Sequence, residues 1–302
     1  MERPFIPHLW FDSQAGEAAA LYCSIFPDSK IEHIGAVRGT PSGDCETVSF
    51  QLAGQAFMAI SAGPQFRFTP AVSFIVNYDP GRDQGARDAL DTAWKKLADG
   101  GEVLMPLDAY PFSPRYGWVQ DRFGLSWQLI LSDPAGEPRP FIVPSLLFTD
   151  EVCGKAGEAA EFYRTVFEGS RVGQSVRYPA GMEPDREGTV MFTDFRLGST
   201  WFAAMDSARA HGFAFNEAIS FIVECEGQAE IDRYWERLSF DPAAEQCGWC
   251  KDRYGVSWQI APAELQRVMR SEDHARVDRV TQAFLTMKKL DLAALRRAFD
   301  GA

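Results

Sequence analysis

The chain has 302 residues, 46% hydrophobic and 24% charged, which is length enough for about two domains with buried cores and a composition that excludes disordered, collagen-like and coiled-coil classes. Thirty Lys and Arg against 42 Asp and Glu give a formal charge of −12, and with no basic patch to offset it nucleic acid is excluded as a partner.

The opening MERPFIPHLW lacks a basic stretch followed by an apolar one, and no apolar run reaches the roughly 18 residues of a membrane helix, so a cytoplasmic protein with no membrane partner is expected. Cys23, Cys45, Cys153, Cys225, Cys247 and Cys250 are too sparse for a disulfide framework, which agrees with a reducing compartment. Ile6 to Phe11 reads as a strand, and Ala18, Leu21, Tyr22 and Ile25 carry the stripe of a helix. Strands are expected at about 31–37, 46–53 and 55–61. Val72 to Val76 opens a second round, whose helix is marked by Leu90, Trp94 and Leu97 and ended by Gly100-Gly101. A hairpin of 116–121 with 125–131 follows, turning at Asp121-Arg122-Phe123-Gly124.

SDPAGEPRP (Ser132 to Pro140) then reads as a linker, after which the pattern repeats. AGEAA at Ala15 to Ala19 returns at Ala156 to Ala160, AVSFIV at Ala71 answers AISFIV at Ala218, and GWVQDRFGLSWQ at Gly117 answers GWCKDRYGVSWQ at Gly248. The spacings drift, as they do when loops but not elements change length. The expected division is a first domain at 1–132, a linker at 133–140, a second domain at 141–262 and a helical extension at 263–302. In the extension Val277, Val280, Phe284 and Met287 share one helix face, and Asp291 caps a last helix carrying Leu292, Leu295 and Phe299. This tail is expected to pack on a domain or a partner.

Two βαβββ units per copy, with AGEAAALYCSIFPDSKI (Ala15 to Ile31) in front and DRFGLSWQLIL (Asp121 to Leu131) behind, resemble the vicinal oxygen chelate superfamily, which includes glyoxalase I and bleomycin-resistance proteins. Within it the likeness is to the PhnB-like family, labelled 3-demethylubiquinone-9 3-methyltransferase, and the tail resembles an extension found in many such proteins. The resemblance implies an α+β fold of two tandem domains of two βαβββ units each, packed as an internal pseudo-dimer in a chain that itself could pair as a homodimer. It also implies that βαβββ units curl into cups. In metal-using relatives a cup holds a metal by a His on the first strand, a second on the strand opening the next unit, and a Glu on the last strand. Here those positions are His8, Ala71 or Ser73, and Gln128 in the first copy, and Ser145, Ala218 or Ser220, and Gln259 in the second. One strong ligand remains, so no metal or other cofactor is expected.

Strand alternation sends His8 to the same face as Ile6 and Trp10, and Gln128 to that of Ser126 and Ile130, leaving Leu125, Trp127, Leu129 and Leu131 for the helices. The expected ligand-binding residues are therefore His8, Trp10, Ser73 and Gln128 around one cup, with Ser145 and Gln259 as counterparts in the other. LDAYPFSPRYGW (Leu107 to Trp118) reads as an aromatic loop around Arg115 that closes on a flat or anionic ligand, or else covers a sheet edge. Cys247-Gly248-Trp249-Cys250 is a CxxC, but alignment to the first copy puts both cysteines on a strand, where residues three apart face opposite ways, and a structural reading is favoured. No strand–GxGxxG–helix cradle, Walker loop or nucleophile elbow occurs, so a methyltransferase activity finds no cofactor motif.

The leading expectation is a protein that binds a small organic molecule in a metal-free cup. Two alternatives stand beside it: a metal-dependent lyase, isomerase or dioxygenase, and a structural or oligomeric protein whose cups are filled by its own side chains.

Overall fold

The computed structural model describes residues 4–271 and 273–301. The first copy runs β1 (Ile6–Phe11), α1 (Ala15–Ile25), β2 (Lys30–Thr40), β3 (Gly43–Leu52), β4 (Gln55–Ser61), β5 (Val72–Tyr78), α2 (Ala86–Ala98), β6 (Glu102–Tyr110), β7 (Ser113–Gln120) and β8 (Ser126–Leu131). The second runs β9 (Ile142–Phe148), α3 (Ala156–Val166), β10 (Arg171–Arg177), β11 (Val190–Leu197), β12 (Thr200–Asp206), β13 (Ile219–Cys225), α4 (Gln228–Leu238), β14 (Trp249–Lys251) and β15 (Ser257–Pro262). Three helices end the chain: α5 (Ala263–Met269), α6 (His274–Leu285) and α7 (Leu292–Asp300). The fold is α+β, and three units keep the βαβββ order expected from the sequence, whereas the fourth, β13-α4-β14-β15, has one strand fewer among the described residues. Among the described residues no helix is long and apolar enough to cross a membrane.

The strands form two sheets, of seven strands in the order β14-β15-β13-β1-β4-β3-β2 and of eight in the order β10-β11-β12-β9-β5-β8-β7-β6. Each sheet therefore joins half of one copy to half of the other. The seams are antiparallel, β1 on β13 with His8 opposite Ser220, and β5 on β9 with Ser73 opposite Ser145. A cup enclosed within one copy does not exist here. His8 and Trp10 curl together with the second copy's Gln259, whereas Ser73 and Gln128 lie on the other sheet with Ser145. We call the seven-stranded concavity cup A and the eight-stranded one cup B.

The convex faces remain loyal to their own copy. Tyr22 of α1 donates to Asp121 in the β7–β8 turn (2.7 Å), and Phe57 of β4 meets Phe74 of β5 with centroids 5.4 Å apart, so the first copy's two halves share a core although their strands belong to different sheets. At the copy boundary the exchange is reciprocal. Phe5 packs edge-on against Phe167 of the second copy (4.8 Å), and Phe141, at the same place before β9, packs against Phe26 of the first (6.2 Å). Matching residues making matching contacts is the signature of a two-fold, self-complementary interface, here inside one chain.

Both DRxG turns close alike. Gly124 (φ +87°) and Gly255 (φ +91°) take the left-handed conformation that glycine tolerates, and each N–H donates to the Asp carbonyl three residues before it, at 2.8 and 3.0 Å. Asp121 then accepts from the N–H groups of Phe123 and Leu125, from Tyr22 and from Trp127 Nε1, and Asp252 accepts from Tyr254, Val256, Tyr163 and Trp258 in the same pattern.

The segment Leu107 to Trp118 is a hairpin, not a loop. β6 is the edge strand of its sheet, so Pro106 breaks no ladder, and the turn falls at Pro111-Phe112 where Tyr110 pairs with Ser113.

Candidate functional site

Cup A carries Ile6, His8 and Trp10 from β1, Met58 and Ile60 from β4, Ser220 and Ile222 from β13, Gln259 from β15 and Trp249 from β14, all on one face by register. The alternate residues Leu9, Phe221 and Trp258 join the core beneath the helices. The His8 ring meets the edge of Trp249 at 5.3 Å, while Trp10 stands edge-on to Phe66 (5.1 Å) and to Trp249 (6.3 Å). Trp10 is held by its Nε1, which donates to the Gly63 carbonyl at 2.8 Å. Beside His8, Ser220 Oγ accepts from Gln259 Nε2 at 2.9 Å.

His8 is 6% exposed, and its Nδ1 has no hydrogen-bond partner among the described residues. Burial pushes its pKa down to about 4, so at neutral pH the ring is an uncharged imidazole with one donor and one acceptor nitrogen. A buried polar atom left without a partner is uncommon, because its desolvation goes uncompensated.

The tail covers one end of this cup. Val280, Leu290 and Leu295 pack with Ile222 and Ala261, against Ile6 and Met58 at the border. Polar contacts fix the placement: Cys247 and Gly248 donate N–H to the carbonyls of Met287 and Lys288 (both 2.7 Å), and Gln228 grips the Leu290 carbonyl and the Leu292 N–H. Asp291 caps α7 by accepting from Ala294 N–H. Val277 and Val280 are buried and Phe284 and Met287 half-buried, so the face expected from the spacing is the one that docks, and its occupant is cup A.

Cup B holds Ser73, Gln128 and Ser145. Tyr116 OH donates to Gln128 Oε1 (2.7 Å), Gln128 Nε2 donates to Ser73 Oγ (2.8 Å), and Ser145 Oγ has no partner among the described residues. Arg115 is not with them. Along β7 its side chain takes the parity opposite to Tyr116 and Trp118 and reaches α2, where Nε and Nη2 bind the two oxygens of Asp91 at 2.8 and 3.0 Å. Reading the segment as a loop concealed that alternation. Arg115 is thus paired on the far side of the sheet from cup B, and Arg115→Ala is expected to cost about 1 kcal/mol of stability, the scale of a partly exposed ion pair, while leaving ligand affinity in either cup unchanged by calorimetry.

The metal implied by glyoxalase-like relatives does not fit the donors present. On the seam, His8 faces Ser220, whose hydroxyl is engaged with Gln259, and a transition metal needs about three imidazole, thiolate or carboxylate donors. Among the described residues no group of three or more His, Cys, Asp and Glu is placed to hold one. The CxxC supplies no alternative. Only Cys250 lies on a strand; Cys247 sits in the preceding turn with φ +55°, a correction to the strand assigned from alignment, and Gly248 beside it needs its φ of +86°. Both thiols are free, and burial pushes Cys247 up to about 11 and Cys250 further.

Trp249 and Phe66 were not singled out from sequence. The GWVQDR/GWCKDR match equates Trp249 with Trp118 and parity puts it on the Gln259 face, but its partners come from the other copy.

A search of the curated proteins found no match. Among solved structures, a Bacillus cereus PhnB protein, described as a 3-demethylubiquinone-9 3-methyltransferase, is 36% identical over 43% of this chain and 100% of its own, with a TM-score of 0.39. Glyoxalase I from Zea mays is 12% identical, covering 88% of this chain and 95% of its own at a TM-score of 0.53, a likeness of fold alone. The family model described as 3-demethylubiquinone-9 3-methyltransferase matches residues 3–130 and again 140–261, most of the chain in two passes. The chain accordingly belongs to this PhnB-like family, as two tandem copies on a fold like that of glyoxalase I.

Proposed function

We propose that the protein binds a small, largely flat organic molecule in cup A, without a metal. The observation that carries this reading is the buried, neutral imidazole of His8 with its unpartnered Nδ1, set against the ring of Trp249, which also meets Trp10, and beside the Ser220–Gln259 pair. The tryptophans and Phe66 offer apolar walls, and the imidazole, hydroxyl and amide offer orientation, which is the ordinary division of labour in a small-molecule site. One lone imidazole supplies neither a ligand set nor an acid/base pair, and the methyl transfer in the family's description has no cofactor motif here. This favours binding over catalysis.

The filled-cup reading has one observation behind it, the tail that packs against Ile222 and Ala261. A fragment screen by ligand-detected NMR separates the two. Wild-type protein should give hits whose affinity falls about tenfold or more in Trp10→Ala, the effect of losing a stacking anchor, and also falls in His8→Phe. An absence, at millimolar concentrations, of any hit that weakens in both variants while the protein stays folded would give cup A to the filled-cup reading.

A further inference from the structure

We infer that cup B takes a neutral carbonyl-bearing ligand, such as a ketone, quinone or amide on an apolar body, with the carbonyl oxygen seated between the hydroxyls of Ser73 and Ser145. The two serines face each other across the β5–β9 seam that joins the copies, and each is 1% exposed. The bonds around Ser73 run in one direction. Tyr116 OH donates to Gln128 Oε1, and Gln128 Nε2 donates to Ser73 Oγ, so in this arrangement Ser73 is used as an acceptor with its own hydrogen unspent. Ser145 Oγ, directly opposite, is partnerless among the described residues, so its hydrogen is unspent as well. Two hydroxyl donors from different copies thus stand ready for one acceptor.

The surroundings decide which acceptor. Val143, Ile75, Trp201 and Ala203 pack together on the same face, with Ile130 and Phe192 at their border. The buried ion pair beside this wall is already matched. Arg139 pairs with Asp194 at 2.7 Å and lies over the Trp201 ring at 3.9 Å, while Asp194 also accepts from Gln174 N–H at 2.6 Å. A carboxylate or phosphate would be desolvated here beside a cation already committed to Asp194, whereas a carbonyl oxygen asks only for donors. A hydrocarbon would fill the apolar wall and leave both hydroxyls unpaired.

Comparison of the cups supports the assignment. At the cup A seam the residue opposite Ser220 is His8, which can accept as well as donate, and the place of Tyr116 in the GWVQDR alignment is taken by Cys247. The same skeleton therefore presents an imidazole in one cup and paired hydroxyl donors in the other. This inference rests on cup B alone and does not require cup A to bind anything.

Three shape-matched probes test it by ligand-detected NMR titration of the full chain: acetophenone, ethylbenzene and benzoate. Acetophenone should bind about tenfold more tightly than ethylbenzene, the worth of two hydrogen bonds, and benzoate more weakly than both. Ser73→Ala/Ser145→Ala should lower acetophenone affinity about tenfold and leave ethylbenzene unchanged. Both substitutions put a methyl group in an apolar wall, so the fold should persist, and Ser145→Ala, which removes an unpartnered hydroxyl, should not lower the melting temperature. Tyr116→Phe offers an independent check with both serines intact. It frees Gln128 to turn its Oε1 toward Ser73, which consumes that hydroxyl's hydrogen, and about a threefold loss for acetophenone should follow. Equal affinity for acetophenone and ethylbenzene, preference for benzoate, no saturable binding of acetophenone at millimolar concentration, or a loss caused by His8→Phe but not by the double serine variant would each overturn the assignment.

Discussion

Asp121→Ala is expected to lower the unfolding free energy by about 4 kcal/mol, and Asp252→Ala by a similar amount. Each carboxylate collects four donors in a buried place: two backbone N–H groups of the turn that follows it, a tyrosine hydroxyl from the copy's first helix and the indole N–H of its last strand. Truncation strands all four at about 1 kcal/mol or more apiece, since a buried donor without an acceptor keeps its desolvation cost. Asn should be milder, at about 2 kcal/mol. Its Oδ1 can still serve the two backbone groups and its amide can donate to the tyrosine, but Trp Nε1, a donor only, is left facing another donor. Against a total stability of about 5 to 15 kcal/mol the double Ala variant should not fold. Urea unfolding with m held constant reads the effect. A loss below 1 kcal/mol at either aspartate would mean that water or a rearranged turn replaces the carboxylate.

That turn was legible in the sequence because its signals are local. Asp at the start and Gly at the end fix the turn within four residues, and the Trp beyond it recurs in both copies. The helix faces were legible for the same reason, and the duplication because the local signals recur in order. Parity also sorted faces correctly: Leu125, Trp127, Leu129 and Leu131 do pack beneath the helices, and His8 does share its face with Ile6 and Trp10. What parity cannot supply is the strand lying alongside. Whether His8 faces Ser73 of its own copy or Ser220 of the other depends on the antiparallel seams, and nothing in either copy's local pattern encodes them. The cup around His8 and Gln128 was misassembled on that point, from residues correctly oriented. Arg115 failed differently. The prolines in Leu107 to Trp118 spoke for a loop, and only the position of β6 at a sheet edge makes them compatible with a hairpin.

The buried groups of the two copies should also leave opposite marks on stability between pH 4 and pH 6.5, each worth about 2 kcal/mol. Burial holds His8 near 4 in the folded chain against 6.5 when unfolded. The unfolded state therefore takes up a proton that the folded state refuses, so the contribution of His8 is fully present above pH 6.5 and is lost as pH falls through 4. Asp252 runs the other way. Burial outweighs its four donors and raises it to about 6 from 3.8, so its contribution is fully present below pH 3.8 and is lost as pH rises through 6. Because each pH unit between a group's folded and unfolded pKa is worth about 1.4 kcal/mol, the two nearly cancel between pH 4.5 and pH 7. The wild-type profile should show little of either. Removing one exposes the other: His8→Phe should gain about 2 kcal/mol on wild type as pH drops from 7 to 4.5, and Asp252→Asn should lose about as much over the same interval, whatever its offset at pH 7. Urea midpoints at the two pH values test both. A His8→Phe profile parallel to wild type would mean that the imidazole can take a proton where it stands, which would also remove the neutral, unpartnered nitrogen on which the proposed binding in cup A rests.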